Sequence, residues 1–366
     1  MINRLLIKGF KRFKETPLAM NQLTILAGWN GAGKTSVIHA LLLMREATKN
    51  RNVMLSGPFE LQLGTAEDVV NWDSAGVIEF IAEEDGASFV WKLNAPADEA
   101  RYLTSSCTPD YLPFAFRPMA SGFTYLSAER LGPRGSVDAS ALPPDELEIG
   151  VRGEYSAQII ETAGGKPGLP DRRHPDAKET SLLKYEIEHW LGELTRPLVI
   201  EAVHHAGADA YALRFQTPDG GQWVRAPNMG FGVSYALPVV IAGLTAASGG
   251  LLVVENPEAH LHPAGQSRMG VFLAWLASKG VQVVVETHSD HVLNGIRRAI
   301  GDHAFLGAKD AVVQFFDSAN DSVQELHFTE RGGVSHWPMG FFDQYQIDVT
   351  ALGRLRRAER SNGIRS

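Results

Sequence analysis

The residues best placed to do chemistry lie in one run, Gly28-Trp29-Asn30-Gly31-Ala32-Gly33-Lys34-Thr35-Ser36, which fits G-x-x-x-x-G-K-[ST]. Glycines at 28, 31 and 33 give the backbone conformations and close approach that a side chain would block. With Asn30 and Ala32 they turn backbone N–H groups toward an anion, at a helix N-terminus whose dipole favours negative charge. Lys34 sets a cation against β- and γ-phosphates, Thr35 offers its hydroxyl to Mg²⁺, and Ser36 reaches the α-phosphate. The expected ligand is ATP with Mg²⁺.

Two further segments carry matching polar groups. Leu251-Leu252-Val253-Val254-Glu255 is a buried-strand pattern ending in a carboxylate, which delivers an acid to a metal at the strand's C-terminal edge. Asn256-Pro257-Glu258-Ala259-His260-Leu261-His262-Pro263 follows. Val281-Gln282-Val283-Val284-Val285 is a second such strand, leading into Glu286-Thr287-His288-Ser289-Asp290. Three strand ends would then converge on one γ-phosphate.

Positioning these groups takes strands alternating with helices. Residues 23–27 read as a strand before the Gly loop and 36–45 as a helix after it. Strands at 251–254 and 281–285 alternate with helices at 234–247, 265–278 and 291–300, which implies a largely parallel sheet. Residues 5–7 open a strand, and 8–14 read as a basic loop whose Phe13 could stack on adenine. Strands are expected at 77–81, 88–93, 198–203 and 211–215, an acidic helix near 66–68, and an amphipathic helix over 180–194. Pro and Gly crowd 95–178, as in a loop-rich insertion. Short strands at 312–316, 323–328 and 333–337 form a β-rich end. The division expected is 1–94 as the N-terminal half of a core, 95–197 as an inserted lobe, 198–310 as the other half, and 311–366 as a small C-terminal segment with a basic tail.

In combination, the P-loop, the strand-E-N-P-E-x-H-L-H-P segment and the strand-E-T-H-S-D segment resemble the ABC-type ATPases of the SMC/RecF/OLD group. The resemblance implies an α/β, ABC-ATPase-like P-loop fold with a mixed, largely parallel sheet. It places Glu255 as the Walker-B acid near Mg²⁺, His288 as the switch histidine at the γ-phosphate, and 259–263 as the loop that crosses a dimer interface. It also makes Asn228-Met229-Gly230-Phe231-Gly232-Val233-Ser234 the signature segment, with Gly230 and Gly232 giving backbone freedom and Ser234 beginning a helix that meets the partner's γ-phosphate. Two chains would thus close head to tail around two ATPs as a homodimer. One departure stands out. Asn256 occupies the place where the group usually carries a catalytic Glu. An amide orients water but cannot take its proton, so the general-base role passes to Glu258, or turnover is slow. A C-terminal run from Gly333 to Gln344 resembles a small tail domain of unknown function found on a bacterial subset of these ATPases.

Composition limits the alternatives. A net charge of −8 over 366 residues argues against a surface that clings to nucleic acid throughout, though not against a local basic patch. Apolar runs stay below the ~18 residues that a membrane span needs, so a soluble, cytoplasmic protein is expected. The single cysteine, Cys107, cannot make an internal disulfide and is expected to be buried. Heptads for SMC-like arms and the acidic cluster of a two-metal nuclease are not evident. The segments 125–134 and 150–155 suit either nucleotide or partner contact, or internal Glu–Arg pairs. Arg354, Arg356, Arg357, Arg360 and Arg365 make a basic terminus that is either a binding tail or a solvated end. The expected function is an ATP-driven switch for an effector or toxin partner, with DNA as a further candidate, in bacterial defence or DNA maintenance. A weakly hydrolysing ATP-gated regulator is the alternative, and a transporter ATPase is disfavoured.

Overall fold

The computed structural model describes residues 1–363 apart from 110, 120, 177–180 and 318–321, and the side chains only up to residue 354. Its centre is a six-stranded sheet in the order Ser322–His327, Ala311–Asp317, Leu23–Gly28, Gln282–Glu286, Leu251–Glu255 and Phe123–Leu126. All neighbours run parallel except the first pair. The near-continuous apolar strands follow from burial on both faces. Successive side chains point to opposite faces, so Ile25, Leu252, Val254, Val283 and Val285 enter one core, and Leu26, Leu251, Val253 and Val284 enter the other.

The first core holds the helices Leu183–Leu194, Phe231–Thr245, Pro263–Ser278 and Asp290–Gly301. The second lies between the parallel sheet, helix Lys34–Lys49 and an antiparallel six-stranded sheet. That sheet runs in the order Phe13–Ala19, Ile2–Phe10, Val77–Glu84, Ala87–Asn94, Tyr102–Thr108 and Asn52–Met54. A smaller antiparallel sheet contains Val199–His205, Ala210–Gln216 and Val224–Arg225, with Val137–Asp138 on its flank.

Several expectations are corrected. The basic loop at 8–14 is a tight hairpin, with Phe10 paired to Phe13 across Lys11 and Arg12. Phe13 is buried against Phe316 and Gly33, so it is not free to stack on a base. The segment 95–197 does not form one lobe. Tyr102–Thr108 joins the antiparallel sheet beside the preceding strand Ala87–Asn94, and Phe123–Leu126 edges the parallel one against the distant strand Leu251–Glu255. Nor does the C-terminal segment stand apart, since Ala311–Asp317 pairs directly with the P-loop strand. Residues 333–337 contribute only an isolated bridge, Phe328 to Val334. Cys107 is half-buried rather than buried. The tail expected as a solvated end is helical over Gln344–Gly363, while the side chains of Arg356, Arg357, Arg360 and Arg365 lie outside the described residues. No helix among the described residues is long and apolar enough to cross a membrane.

Candidate nucleotide-binding site

The cradle forms where the P-loop strand hands over to its helix. Gly28 has φ of 129°, and a Cβ there would lie 2.2 Å from the carbonyl oxygen of Phe316 on the neighbouring strand. Gly33, at φ 109°, caps the helix with no side chain, so no side-chain cap competes with an anion at its N-terminus. The helix starts at Lys34, two residues earlier than expected.

Lys34 is almost wholly buried. Its Nζ donates to the carbonyls of Gly28 at 3.0 Å and Trp29 at 2.8 Å and lies 4.0 Å from Glu286 Oε1. Burial lowers its pKa, and Glu286 opposes that shift. A cleft of about 520 Å³ opens here, lined by Asn30, Gly31, Lys34, Thr35, Ser36, Glu286 and His288, with Lys11 and Arg12 of the hairpin at its rim. Arg12 reaches the carbonyl of Gly31 at 3.2 Å. Lys11 Nζ sits 2.8 Å from His39 Nδ1, and burial with this cation pushes the His39 ring down to about 4, so it stays neutral.

Glu286 has no assigned role in the sequence reading, yet it occupies the middle of the site. Its strand lies between the P-loop strand and the Walker-B strand, in register so that Glu286 pairs with Glu255. The Thr35 hydroxyl donates to its two carboxylate oxygens. Burial and the neighbouring Glu255 raise its pKa to about 7 against the opposing effects of Lys34 and Thr35. The acid ending the second buried strand was the available signal, but strand order was needed to see that this strand runs down the centre.

Glu255 accepts from the Tyr125 hydroxyl at 2.8 Å, and burial raises its pKa. Arg130 is buried behind it. Its guanidinium donates to the carbonyls of Ser127, Glu255 and Asn256 at 3.0, 2.7 and 2.5 Å, and its pKa is pushed down to about 10 by burial. Within the 125–134 segment, Arg130 therefore serves as an internal brace for the exit of the Walker-B strand. Asn256 takes a positive φ of 41°, and its Oδ1 is buried with no hydrogen-bond partner. Glu258 accepts from the backbone N–H of His288 at 3.0 Å; its other oxygen is buried and unpartnered, and burial raises its pKa. His288 Nε2 lies 4.0 Å from Glu286, and burial followed by Lys34 lowers the ring's pKa.

The signature segment opens elsewhere. Gly230 and Gly232 line a groove of about 470 Å³ with His260, Leu261, His262 and Arg268. The helix begins at Phe231 with Gly230 as its N-cap, so Ser234 lies inside the first turns and not at the start as expected. Ser234 instead lines a small pocket with Gly153 and Pro238. The C-terminal segment touches the cradle, since a Cβ on Gly340 would meet the Trp29 indole at 2.7 Å.

Comparison with known proteins accords with this geometry. Residues 108–294, just over half of the chain, match the family described as "AAA domain, putative AbiEii toxin, Type IV TA system". The chain belongs to this AAA-domain family. Residues 1–89 match an "AAA ATPase domain", and 306–352 match a "Protein of unknown function (DUF3696)". An OLD nuclease of Thermus scotoductus is 22% identical over 338 residues, spanning 79% of this chain and 59% of its own. The chain thus covers little more than half the length of that relative. A crystal structure of an Smc head domain with an extended coiled coil, bound to the C-terminal domain of ScpA and derived from Pyrococcus furiosus, superposes with a TM-score of 0.51 at 12% identity, covering 97% of this chain and 99% of that one. An SmcHead bound to the C-winged helix domain of ScpA gives 0.50 at 13% identity, covering 90% and 97%. The fold is that of an SMC-head-like, ABC-type P-loop ATPase, and the AAA ATPase domains imply nucleotide binding.

Proposed function

We propose that this chain binds and hydrolyses ATP, and that two copies close around two nucleotides as a switch for a partner. The observation that carries the reading is the separation of the two half-sites. The P-loop gathers Lys34, Thr35, Glu286 and His288 in one cleft, whereas Gly230 and Gly232 open into another groove of the same chain. The N–H groups at the start of helix Phe231–Thr245 then meet a phosphate only when a second copy presents one.

The residues fit a nucleotide with a divalent cation: a Gly cradle, a helix N-terminus with no side-chain cap, a buried lysine, the Glu286 carboxylate at the Thr35 hydroxyl, and Glu255 paired with Glu286 on the next strand. Mg²⁺, when bound, neutralises phosphate charge. Thr35 and Glu255 are its proposed holders, and Glu286 joins them as a third. Lys34 must leave the carbonyls of Gly28 and Trp29 to reach a phosphate. Glu258, buried with one free carboxylate oxygen and a raised pKa, is the proposed base that takes the proton from water, while His288 orients the γ-phosphate and Asn256 orients the water. Catalysis by positioning and charge leaves room for slow turnover, and Asn256 favours the second reading, a weakly hydrolysing ATP-gated regulator.

Closure on ATP and opening on hydrolysis would shift the population of a partner-bound state. The family's description names a toxin system and the OLD relative is a nuclease, which supports an effector or toxin protein as the partner and a defence or DNA-maintenance setting in the cytoplasm. Size-exclusion mass with and without ATP–Mg²⁺, with phosphate release read in parallel, tests the reading. A nucleotide-dependent dimer that releases phosphate supports it, and ATP binding with neither dimer nor phosphate overturns it.

A further inference from the structure

On the side of the molecule formed by helix Leu183–Leu194, away from the P-loop cleft, three metal-ligating side chains meet. His189 and Glu193 stand four residues apart, on one face of the helix, the spacing that lets two ligands reach one ion. His174 comes from the preceding loop, which is held in place: the buried Arg172 donates to the carbonyl of Lys279, and Glu186 accepts from the His174 backbone N–H at 2.7 Å. One ligand atom from each of His174, His189 and Glu193 lies within 4.8 Å of the others.

We propose that these three residues bind a transition-metal dication of the zinc type. His174 is only 4% exposed, and its buried Nε2 meets Glu193 Oε1 at 3.1 Å, a contact that holds the Glu193 carboxyl below its usual range. An ion shared by the two residues would replace this contact with two metal bonds, and His189 brings the third ligand atom to the same point. The His174 and His189 rings stack with centroids 3.8 Å apart. A tetrahedral zinc with ~2.0–2.1 Å bonds needs its ligand atoms somewhat closer than the present spread. His189 is exposed and Glu193 partly so, and their rotation supplies the adjustment.

The tautomer makes the main cost visible. Asp176 N–H donates to His174 Nδ1 at a long 3.2 Å, which puts the ring proton on Nε2. Coordination moves that proton to Nδ1 and gives up the Asp176 bond. Two imidazoles and a carboxylate are the ligand types of zinc sites that keep a fourth position open. Two of the three ligands, His189 and Glu193, also line a cavity of about 720 Å³ with Tyr185, Arg268 and His303. Arg268 also lines the groove under the signature loop, so the site adjoins the face proposed to meet a second copy.

Zn²⁺ titration of the chelator-treated full chain against a chromophoric chelator tests the site, with the thermal midpoint as a fold control. The expected result is one tight Zn²⁺ per chain, weakened at least tenfold by His189→Ala and by Glu193→Gln, two changes outside the core. A His260→Ala/His262→Ala variant should keep the full affinity, separating this site from the histidines beside the groove. No tight Zn²⁺ in the wild type, or equal affinity in wild type and His189→Ala, overturns the proposal. So does loss of binding in the His260/His262 variant alone.

Discussion

The Thr35 hydroxyl donates to both carboxylate oxygens of Glu286, at 3.1 and 3.3 Å, joining the P-loop helix to the central strand of the sheet. Both groups face the cleft that Lys34 and His288 also line, so the contact is one a bound cation would replace.

Because the folded pKa of Glu286 is about 7, against 4.5 unperturbed, the folded chain holds a proton that the unfolded chain has lost. Its stability contribution is therefore intact below pH 4.5 and falls away as pH rises through about 7, by on the order of 1–3 kcal/mol. Urea midpoints of the nucleotide-free chain at pH 6 and pH 8 should show the last part of this loss, and Glu286→Gln should shrink it. Mg²⁺–ATP should protect more strongly at pH 8 than at pH 6, since a cation needs the ionised carboxylate.

Glu258→Gln keeps the shape and the acceptor for the His288 N–H but cannot take a proton. Phosphate release should fall about 10²-fold or more while ATP still binds, read by single-turnover assay and fluorescent-nucleotide titration. An unchanged rate would return Glu258 to a purely structural role.

Gly230→Asp separates chain stability from assembly. A Cβ at Gly230 meets nothing within 4 Å, and its φ of −62° suits any residue. Aspartate is a favourable N-cap, so the thermal midpoint should hold or rise slightly, by about 0.5–1 kcal/mol in stability. The same carboxylate would face the partner's phosphate, so the ATP-dependent dimer should disappear in light scattering.

Arg130→Met should cost about 3 kcal/mol or more in a denaturant titration, because the carbonyls of Ser127, Glu255 and Asn256 lose their donor at once. Arg130→Lys should not restore them, since a single ammonium cannot span the fork that reaches both Glu255 and Asn256.

The P-loop, the two buried strands and their following helices were legible in the sequence because each is a local pattern. Glycine spacing sets the loop, and unbroken apolar runs such as Val253-Val254 and Val283-Val284 require a sheet buried on both faces. Strand order is not local. Phe123–Leu126 reads as part of a Pro- and Gly-rich insertion and becomes a strand only against Leu251–Glu255, more than a hundred residues on. Ala311–Asp317 reads as part of a separate tail until it pairs with the P-loop strand.

The residue types for nucleotide chemistry were thus fixed by sequence, while their company was decided in three dimensions. Placing the 282–286 strand between two others brought Glu286 to Thr35, and packing buried Arg130 beneath Glu255 and Asn256. A carboxylate's pKa and partners depend on what lies within a few ångströms of it, and those neighbours come from segments hundreds of residues apart, such as Thr35 and Glu286, 251 residues distant in the chain.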